Sequence, residues 1–168
     1  MKLFADDVKL YTSFSHPSRD LHVVCDKLTS WSEQWQLRIA RDKCSVHRFS
    51  NSVIDCNHGY TIDGHELPWS NETRDLGVIF DNKLNFNSHV SAIVHKAHVR
   101  ASLILRTFTT RDPTVLVKAF ITYVRPILEY CTSIWSLHVT NKIESCRRWF
   151  TKRISGLSGM GYPERLAD

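Results

Sequence analysis

Long apolar runs are missing from this chain. No stretch approaches the roughly 18 uninterrupted apolar residues that a membrane span needs. The richest region, 115–130, is broken by Lys118 and Arg125. No membrane partner is expected. Nor does an extended apolar core follow Met1-Lys2, which argues against a secretory signal peptide. Cysteine is sparse and unpatterned, since Cys25, Cys44, Cys56, Cys131 and Cys146 form an odd set without close pairs. That speaks against a disulfide framework and for reduced thiols in an intracellular protein, of cytoplasm or nucleus. Internal repeats and low-complexity segments are also absent. Apolar residues make up 42% and charged residues 23% of the 168 positions, an ordinary globular balance that does not favour disorder. The length allows one domain or two small ones.

What charge there is lies unevenly. Through Leu84 there are 10 basic and 12 acidic residues, a net of −2; from Asn85 onward 12 basic face 5 acidic, a net of +7. A basic second half is the electrostatic footprint expected for a polyanion.

The apolar pattern changes at the same place. In the first half, Pro17 and Ser18 open a predicted helix. Its stripe of Leu21, Val24, Cys25, Leu28, Trp31 and Trp35 points to a buried face with both tryptophans in the core. A strand is expected over 45–49, irregular polar chain over 51–58, and a hairpin over 60–67 with Asp63-Gly64 at its turn. Another buried strand is expected at 76–80, ending at Asp81-Asn82. From Asn87 the period becomes helical, with Val90, Ile93, Val94, Ala97, Ala101, Ile104, Leu105 and Phe108 on one face and Asn87 or Ser88 as the cap. Asp112-Pro113 opens a further helix in cap-then-proline order, and Pro126 kinks or ends it. A third helical segment follows over 127–135. A last one from Asn141 carries Arg147, Arg148, Lys152 and Arg153. The expected division is 1–84 and 85–168.

The motif with the most chemistry is Phe4-Ala5-Asp6-Asp7, between the short apolar stretches Lys2-Leu3 and Val8-Lys9-Leu10-Tyr11. Aspartate favours turns because its side chain bonds the local backbone. A strand–Asp-Asp–strand hairpin would carry two carboxylates at its tip, and hard divalent cations such as Mg²⁺ take such oxygens alongside substrate phosphates. A small metal site elsewhere is a weaker option. Cys56-x-His58 with His65, or His95 with His98, could gather ligands, but neither set has the paired spacing of a zinc site.

The motifs also fall into a familiar order. They run Leu3-Phe4-Ala5-Asp6-Asp7-Val8, then Leu28-x-x-Trp31-x-x-x-Trp35-x-Leu37, Lys43-Cys44, Asp75-Leu76-Gly77-Val78, Phe86-x-x-His89 and Lys96-Ala97. Tyr123-Val124-Arg125-Pro126-Ile127-Leu128-Glu129-Tyr130 and Trp135 come next. Ile143-Glu144, Arg147-Arg148-x-Phe150-Thr151 and Tyr162-x-Glu164-Arg165-Leu166 complete the series. In this order the chain resembles the C-terminal part of reverse transcriptases from non-LTR (LINE-like, jockey-type) retrotransposons.

The resemblance implies an α+β chain. A partial polymerase palm, of β-hairpins plus one helix, is followed by an all-α thumb-like helical bundle. It implies that Asp6 and Asp7 hold catalytic Mg²⁺, and that Lys43 lies near the incoming deoxynucleoside triphosphate as a charge clamp or proton donor. Leu76-Gly77 corresponds to the hairpin that braces the primer end. The basic thumb residues, Lys96, Arg100, Arg147, Arg148, Lys152 and Arg153, track the backbone of an RNA–DNA hybrid or of DNA primer on RNA template. Ala40 departs from the family, which carries an asparagine before the Lys-Cys pair. Two-metal chemistry needs a further carboxylate from an upstream strand, and Asp63, Asp75 and Asp81 match no such position. The expectation is a reverse transcriptase fragment, inactive by itself, with a poorly stable first half. The alternative is a non-enzymatic nucleic-acid-binding module that uses only its basic helices.

Overall fold

A computed structural model describes residues 1–13, 19–50, 59–135 and 140–166. The chain forms two compact units, Met1–Asn71 and Glu72–Asp168.

The first unit is built from small pieces. Strands β1 (Lys2–Phe4) and β2 (Asp7–Lys9) pair antiparallel, with Lys2 opposite Lys9 and Phe4 opposite Asp7. Helix α1 spans Arg19–Gln34, and a 3₁₀ turn covers Arg41–Lys43. Strand β3 (Val46–His47) runs parallel to β6 (Trp69–Ser70), while β4 (Thr61–Ile62) and β5 (His65–Glu66) make a tight hairpin. At its turn Asp63 and Gly64 both have positive φ, 51° and 71°. This is the twist-matched backbone that an Asp-Gly pair provides. Buried Cys25, Tyr60, Ile62 and Leu67 form the core, with Leu10, Leu21, Ile39, Cys44 and Val46 against them.

Two expectations change here. Trp31 and Trp35 are not core residues, being 46% and 62% exposed. From Cys25 the inward face of α1 runs through Thr29 to buried Ser32, so Trp31 is turned about 100° away. Trp35 lies beyond the end of the helix, just before the positive φ of Gln36. The strand expected over 45–49 shortens to Val46–His47, the two residues that pair with β6. Pro17 and Ser18, and the irregular stretch 51–58, lie outside the described residues.

The second unit opens with a hairpin, β7 (Glu72–Asp75) and β8 (Val78–Asp81), whose turn is Leu76-Gly77. Helices α2 (Asn87–Thr107), α3 (Pro113–Tyr123), α4 (Arg125–Glu129), α5 (Thr132–Trp135) and α6 (Thr140–Thr151) follow. Ala97, Ala101 and Ile104 of α2 pack with Leu116, Ala119, Phe120, Val124, Leu128, Cys146, Phe150, Ile154 and Leu157 in one buried cluster. The two alanines let neighbouring helices approach closely, since interaxial distance follows side-chain size. A second cluster holds Val78, Val90 and Trp135, lined by Phe80, Phe86 and Ile93. Val78 is the reason the units divide between Asn71 and Glu72 rather than at Leu84. Being 1% exposed in that cluster, it ties the β7–β8 hairpin to the helices.

Three local corrections belong to this unit. Leu76-Gly77, expected within a strand, is the turn itself. Neither Asn87 nor Ser88 caps α2. The cap position is Phe86, at φ 55°, with no side-chain cap bond. Its ring sits edge-on to Phe80 at 5.5 Å, and Ser88 donates its hydroxyl to Glu72 instead. The segment over 127–135 is two short helices, parted by Cys131 at φ 56°. The Asp112 cap is found as expected, accepting the Thr114 N–H at 2.9 Å with Pro113 opening the helix.

Candidate functional site

The β1–β2 hairpin closes in two residues, Ala5 and Asp6. Ala5 has φ 50°, a left-handed backbone that is uncommon for a residue with a Cβ. The two carboxylates therefore differ in setting. Asp6 lies in the loop and Asp7 begins β2 opposite Phe4, and both are exposed. Nothing among the described residues brings a third ligand to them, since no group of three or more His, Cys, Asp or Glu side chains lies together. Two exposed carboxylates side by side on a tight turn suit a hard cation that shares its other ligands with phosphate or water. The fit is to part of a coordination shell.

Lys43 ends the 3₁₀ turn of the same unit and is exposed. Among the described residues no ion pair or hydrogen bond joins its side chain to Asp6 or Asp7. Its neighbour Arg41 is committed locally, paired with Asp63 and bonded to the His65 ring at 3.2 Å. Cys44 is half-buried, and burial raises its thiol pKa. Arg38 and Arg41, with Thr29, Glu33 and Gln36, line a cleft of about 760 Å³.

In the second unit the Leu76-Gly77 turn has φ 45° and 86° at its two residues. The Tyr130 hydroxyl donates to the Leu76 carbonyl at 2.9 Å. A Cβ built on Gly77 would lie 3.4 Å from the Tyr130 ring. The indole N–H of buried Trp135 donates to the Tyr130 carbonyl at 3.0 Å, and the His89 ring stands edge-on to Trp135 at 5.5 Å. His89 Nδ1 in turn accepts the Ile79 N–H of β8 at 3.3 Å. Burial, and then the charge of Arg74, lower the His89 pKa.

The six expected nucleic-acid contacts fall into two groups. Lys96 and Arg100 are exposed one turn apart on α2, and Lys152 is exposed just past α6. Among the described residues these three side chains have no partner. The other three are already engaged. Arg147 pairs with Glu144 at 3.4 Å, Arg148 stacks over Tyr162 at 4.6 Å and Arg153 over Trp149 at 4.0 Å. Tyr162 also donates its hydroxyl to Glu144, and burial and that bond raise its pKa. A basic run expected to track a nucleic-acid backbone thus also pins the C-terminal segment to α6. Arg153 has a further effect. It stands behind burial among the causes that lower the pKa of His98, whose ring meets Trp149 edge-on at 5.2 Å.

Of the alternative metal ligands, His98 is held by Trp149, and His65 by Arg41 and the Asp63 carbonyl. Cys56 and His58 lie outside the described residues. Sequence reasoning gave no role to Tyr130 or His89, although both stood inside the ordered motifs. The available signal was an aromatic hydroxyl and an imidazole beside a turn glycine, and only tertiary structure joins them. No helix among the described residues is long and apolar enough to cross a membrane.

The chain is similar over nearly its whole length to curated proteins described as RNA-directed DNA polymerase from mobile element jockey. The protein of Drosophila funebris is 26% identical over 171 residues, covering 98% of this chain and 19% of that protein. Its Drosophila melanogaster counterpart is 23% identical over the same length, with the same two shares. An uncharacterised protein of Caenorhabditis elegans is 26% identical over 104 residues, 58% of this chain and 52% of that protein. No protein-family model and no solved structure matches. The chain thus spans about a fifth of the length of the jockey polymerases, and its relation to these non-LTR retrotransposon enzymes is shown.

Proposed function

We propose that these 168 residues form the stretch of a jockey-type reverse transcriptase that runs from the Asp-Asp hairpin of the palm through the thumb. The carrying observation is the two-residue β1–β2 hairpin, which puts Asp6 in the loop and Asp7 at the head of β2. Adjacent carboxylates on a tight turn suit a divalent cation shared with a nucleotide's phosphates. Asp6 and Asp7 would hold Mg²⁺, which when bound supplies charge stabilisation at the attacking and leaving oxygens of nucleotidyl transfer. Asp6 is the principal ligand and Asp7 its companion. Lys43, exposed in the same unit, offers a mobile ammonium to a deoxynucleoside triphosphate. The Leu76-Gly77 turn supports the primer end. Lys96, Arg100 and Lys152 meet phosphates of the template–primer duplex directly, and the stacked Arg148 and Arg153 frame that surface. Such work belongs in cytoplasm or nucleus, where RNA template and DNA primer meet.

Two carboxylates are too few for two-metal chemistry, so catalysis by these residues depends on a carboxylate from elsewhere in the polymerase. The test is primer extension on RNA template with Mg²⁺. It compares the 168-residue chain alone with a chimera in which these residues replace the matching stretch of a jockey polymerase. The chain alone is expected to extend nothing. The chimera is expected to extend the primer and to lose activity by about two orders of magnitude or more with Asp6→Asn. A chimera indifferent to Asp6→Asn would overturn the assignment. A chimera that binds duplex but never extends it would favour the second reading, nucleic-acid binding alone. The open cations Lys96, Arg100 and Lys152 are what commend that reading.

A further inference from the structure

Leucine is an odd residue for the turn between β7 and β8. Two consecutive positive φ values suit Asn-Gly or Asp-Gly, whereas Leu76 at 45° places a Cβ in the left-handed region at a steric cost. Its side chain is 43% exposed, so burial offsets little of that cost. A strained turn with an exposed tip persists only where its surroundings over-determine it.

Here they do so from two sides. Tyr130 holds the tip, its hydroxyl on the Leu76 carbonyl at 2.9 Å and its ring packed over Gly77, where a Cβ would lie 3.4 Å away and the φ of 86° itself favours glycine. His89 holds β8, with Nδ1 on the Ile79 N–H at 3.3 Å. Both are tied to Trp135, Tyr130 through its carbonyl and His89 through ring contact. Trp135 is 2% exposed in the cluster of Val78 and Val90. The path from turn to helices therefore closes on itself. Tyr130 is itself 54% exposed, so its hydroxyl bond adds little to the stability of the unit. What the bond fixes is where the turn sits.

We propose that Tyr130 is a positioning residue, which clasps the Leu76-Gly77 turn to the Trp135 side of the helical unit and so sets where that turn meets the 3′ end of a primer. The clasp rests on geometry alone; the primer rests on the functional reading above. Positioning matters for such a contact because a displacement of about 1 Å can cost two orders of magnitude in rate.

The experiment uses the full 168-residue chain in two measurements. Amide hydrogen exchange is followed at residues 76–78 in the parent, Tyr130→Phe and Gly77→Ala chains, with Tyr123→Phe as an exposed-tyrosine control. Photocrosslinking is then measured to a DNA primer that carries a photoreactive 3′ end on RNA template. Tyr130→Phe keeps the ring and removes only the hydroxyl. It is expected to speed exchange at the turn roughly five- to tenfold, to leave the amides of α2 and α6 unchanged, and to reduce crosslinks at 76–78. Gly77→Ala, which puts a Cβ on left-handed backbone at φ 86° and so strains the same turn, should do the same; Tyr123→Phe should do neither. Unchanged exchange at the turn in Tyr130→Phe overturns the clasp. Faster exchange, with no primer crosslink at 76–78 even in the parent chain, overturns the primer contact while leaving the clasp in place.

Discussion

At the scale of single residues, His89 carries the clearest dependence on solution conditions. Its Nδ1 accepts the Ile79 N–H, so the proton of the neutral ring sits on Nε2, which is buried and has no partner among the described residues. Protonating Nδ1 would set two N–H donors against each other inside the Val78–Val90–Trp135 cluster. Burial, followed by Arg74, lowers the folded pKa below the ordinary 6.5. The unfolded chain therefore binds the proton first as pH falls. Stability contributed by neutral His89 is complete above about pH 6.5 and is lost as pH drops towards the lowered folded value. His98, lowered by burial, Arg153 and His95, acts in the same direction. Urea unfolding of the Glu72–Asp168 unit between pH 5 and 8 should show stability rising with pH. His89→Asn keeps an acceptor near the Nδ1 position and removes the titration. It should lower stability at pH 8 and flatten the slope, with His98 supplying what remains. A slope unchanged in His89→Asn would show that the proton is taken up elsewhere.

At the scale of elements, caps and turns decide where pieces begin. Asp112 accepts the Thr114 N–H at 2.9 Å and precedes Pro113. Asp112→Ala should destabilise the second unit by about 1 kcal/mol, read as a lower denaturation midpoint at unchanged slope. Asp112→Asn should recover most of the loss. This start was legible because capping chemistry is local, and so was the Asp63-Gly64 turn, whose residues suit left-handed backbone by themselves. The Leu76-Gly77 turn was legible only through the resemblance, because leucine by itself does not signal left-handed backbone and the Tyr130 hydroxyl that holds its carbonyl lies 54 positions along the chain. Phe86 fails as a sequence signal for the same reason, being held at the cap by Phe80 rather than by a side-chain oxygen. Helical period correctly placed the buried stripe of α2. It misplaced Trp31, since the inward face of α1 runs through Cys25, Thr29 and Ser32, and Trp35, which lies past the end of the helix. At the candidate site the hairpin could be read directly, but its loop is Ala5-Asp6 rather than Asp6-Asp7, because Asp7 already pairs with Phe4. The division of the basic residues could not be read, because Tyr162 and Trp149 are joined to Arg148 and Arg153 only by folding.

At the scale of the whole molecule the two units are unequally built. Among the described residues, twelve buried ones form the main cluster of Glu72–Asp168, and Val78, Val90 and Trp135 add another. Met1–Asn71 rests on Cys25, Tyr60, Ile62 and Leu67. Among the described residues its strands pair two by two, and isolated two-stranded pairs are marginal in water. Leu3 and Phe4 of β1 and Val8 of β2 are 64%, 58% and 40% exposed, so the hairpin that carries Asp6 and Asp7 offers apolar side chains and an open edge to any neighbouring strand. On the proposed reading those neighbours are the remaining palm strands of a polymerase, and the hairpin is firm only against them. Limited trypsin digestion of the 168-residue chain should therefore cut early at Lys9, Lys27 and Arg38 and leave a resistant core within Glu72–Asp168. In the jockey chimera the same sites should become protected by at least about tenfold, since local opening then requires breaking a larger sheet. Equal resistance of both units in the isolated chain would mean that Met1–Asn71 is complete in itself. The exposed faces of Leu3, Phe4 and Val8 would then need another explanation than a missing sheet.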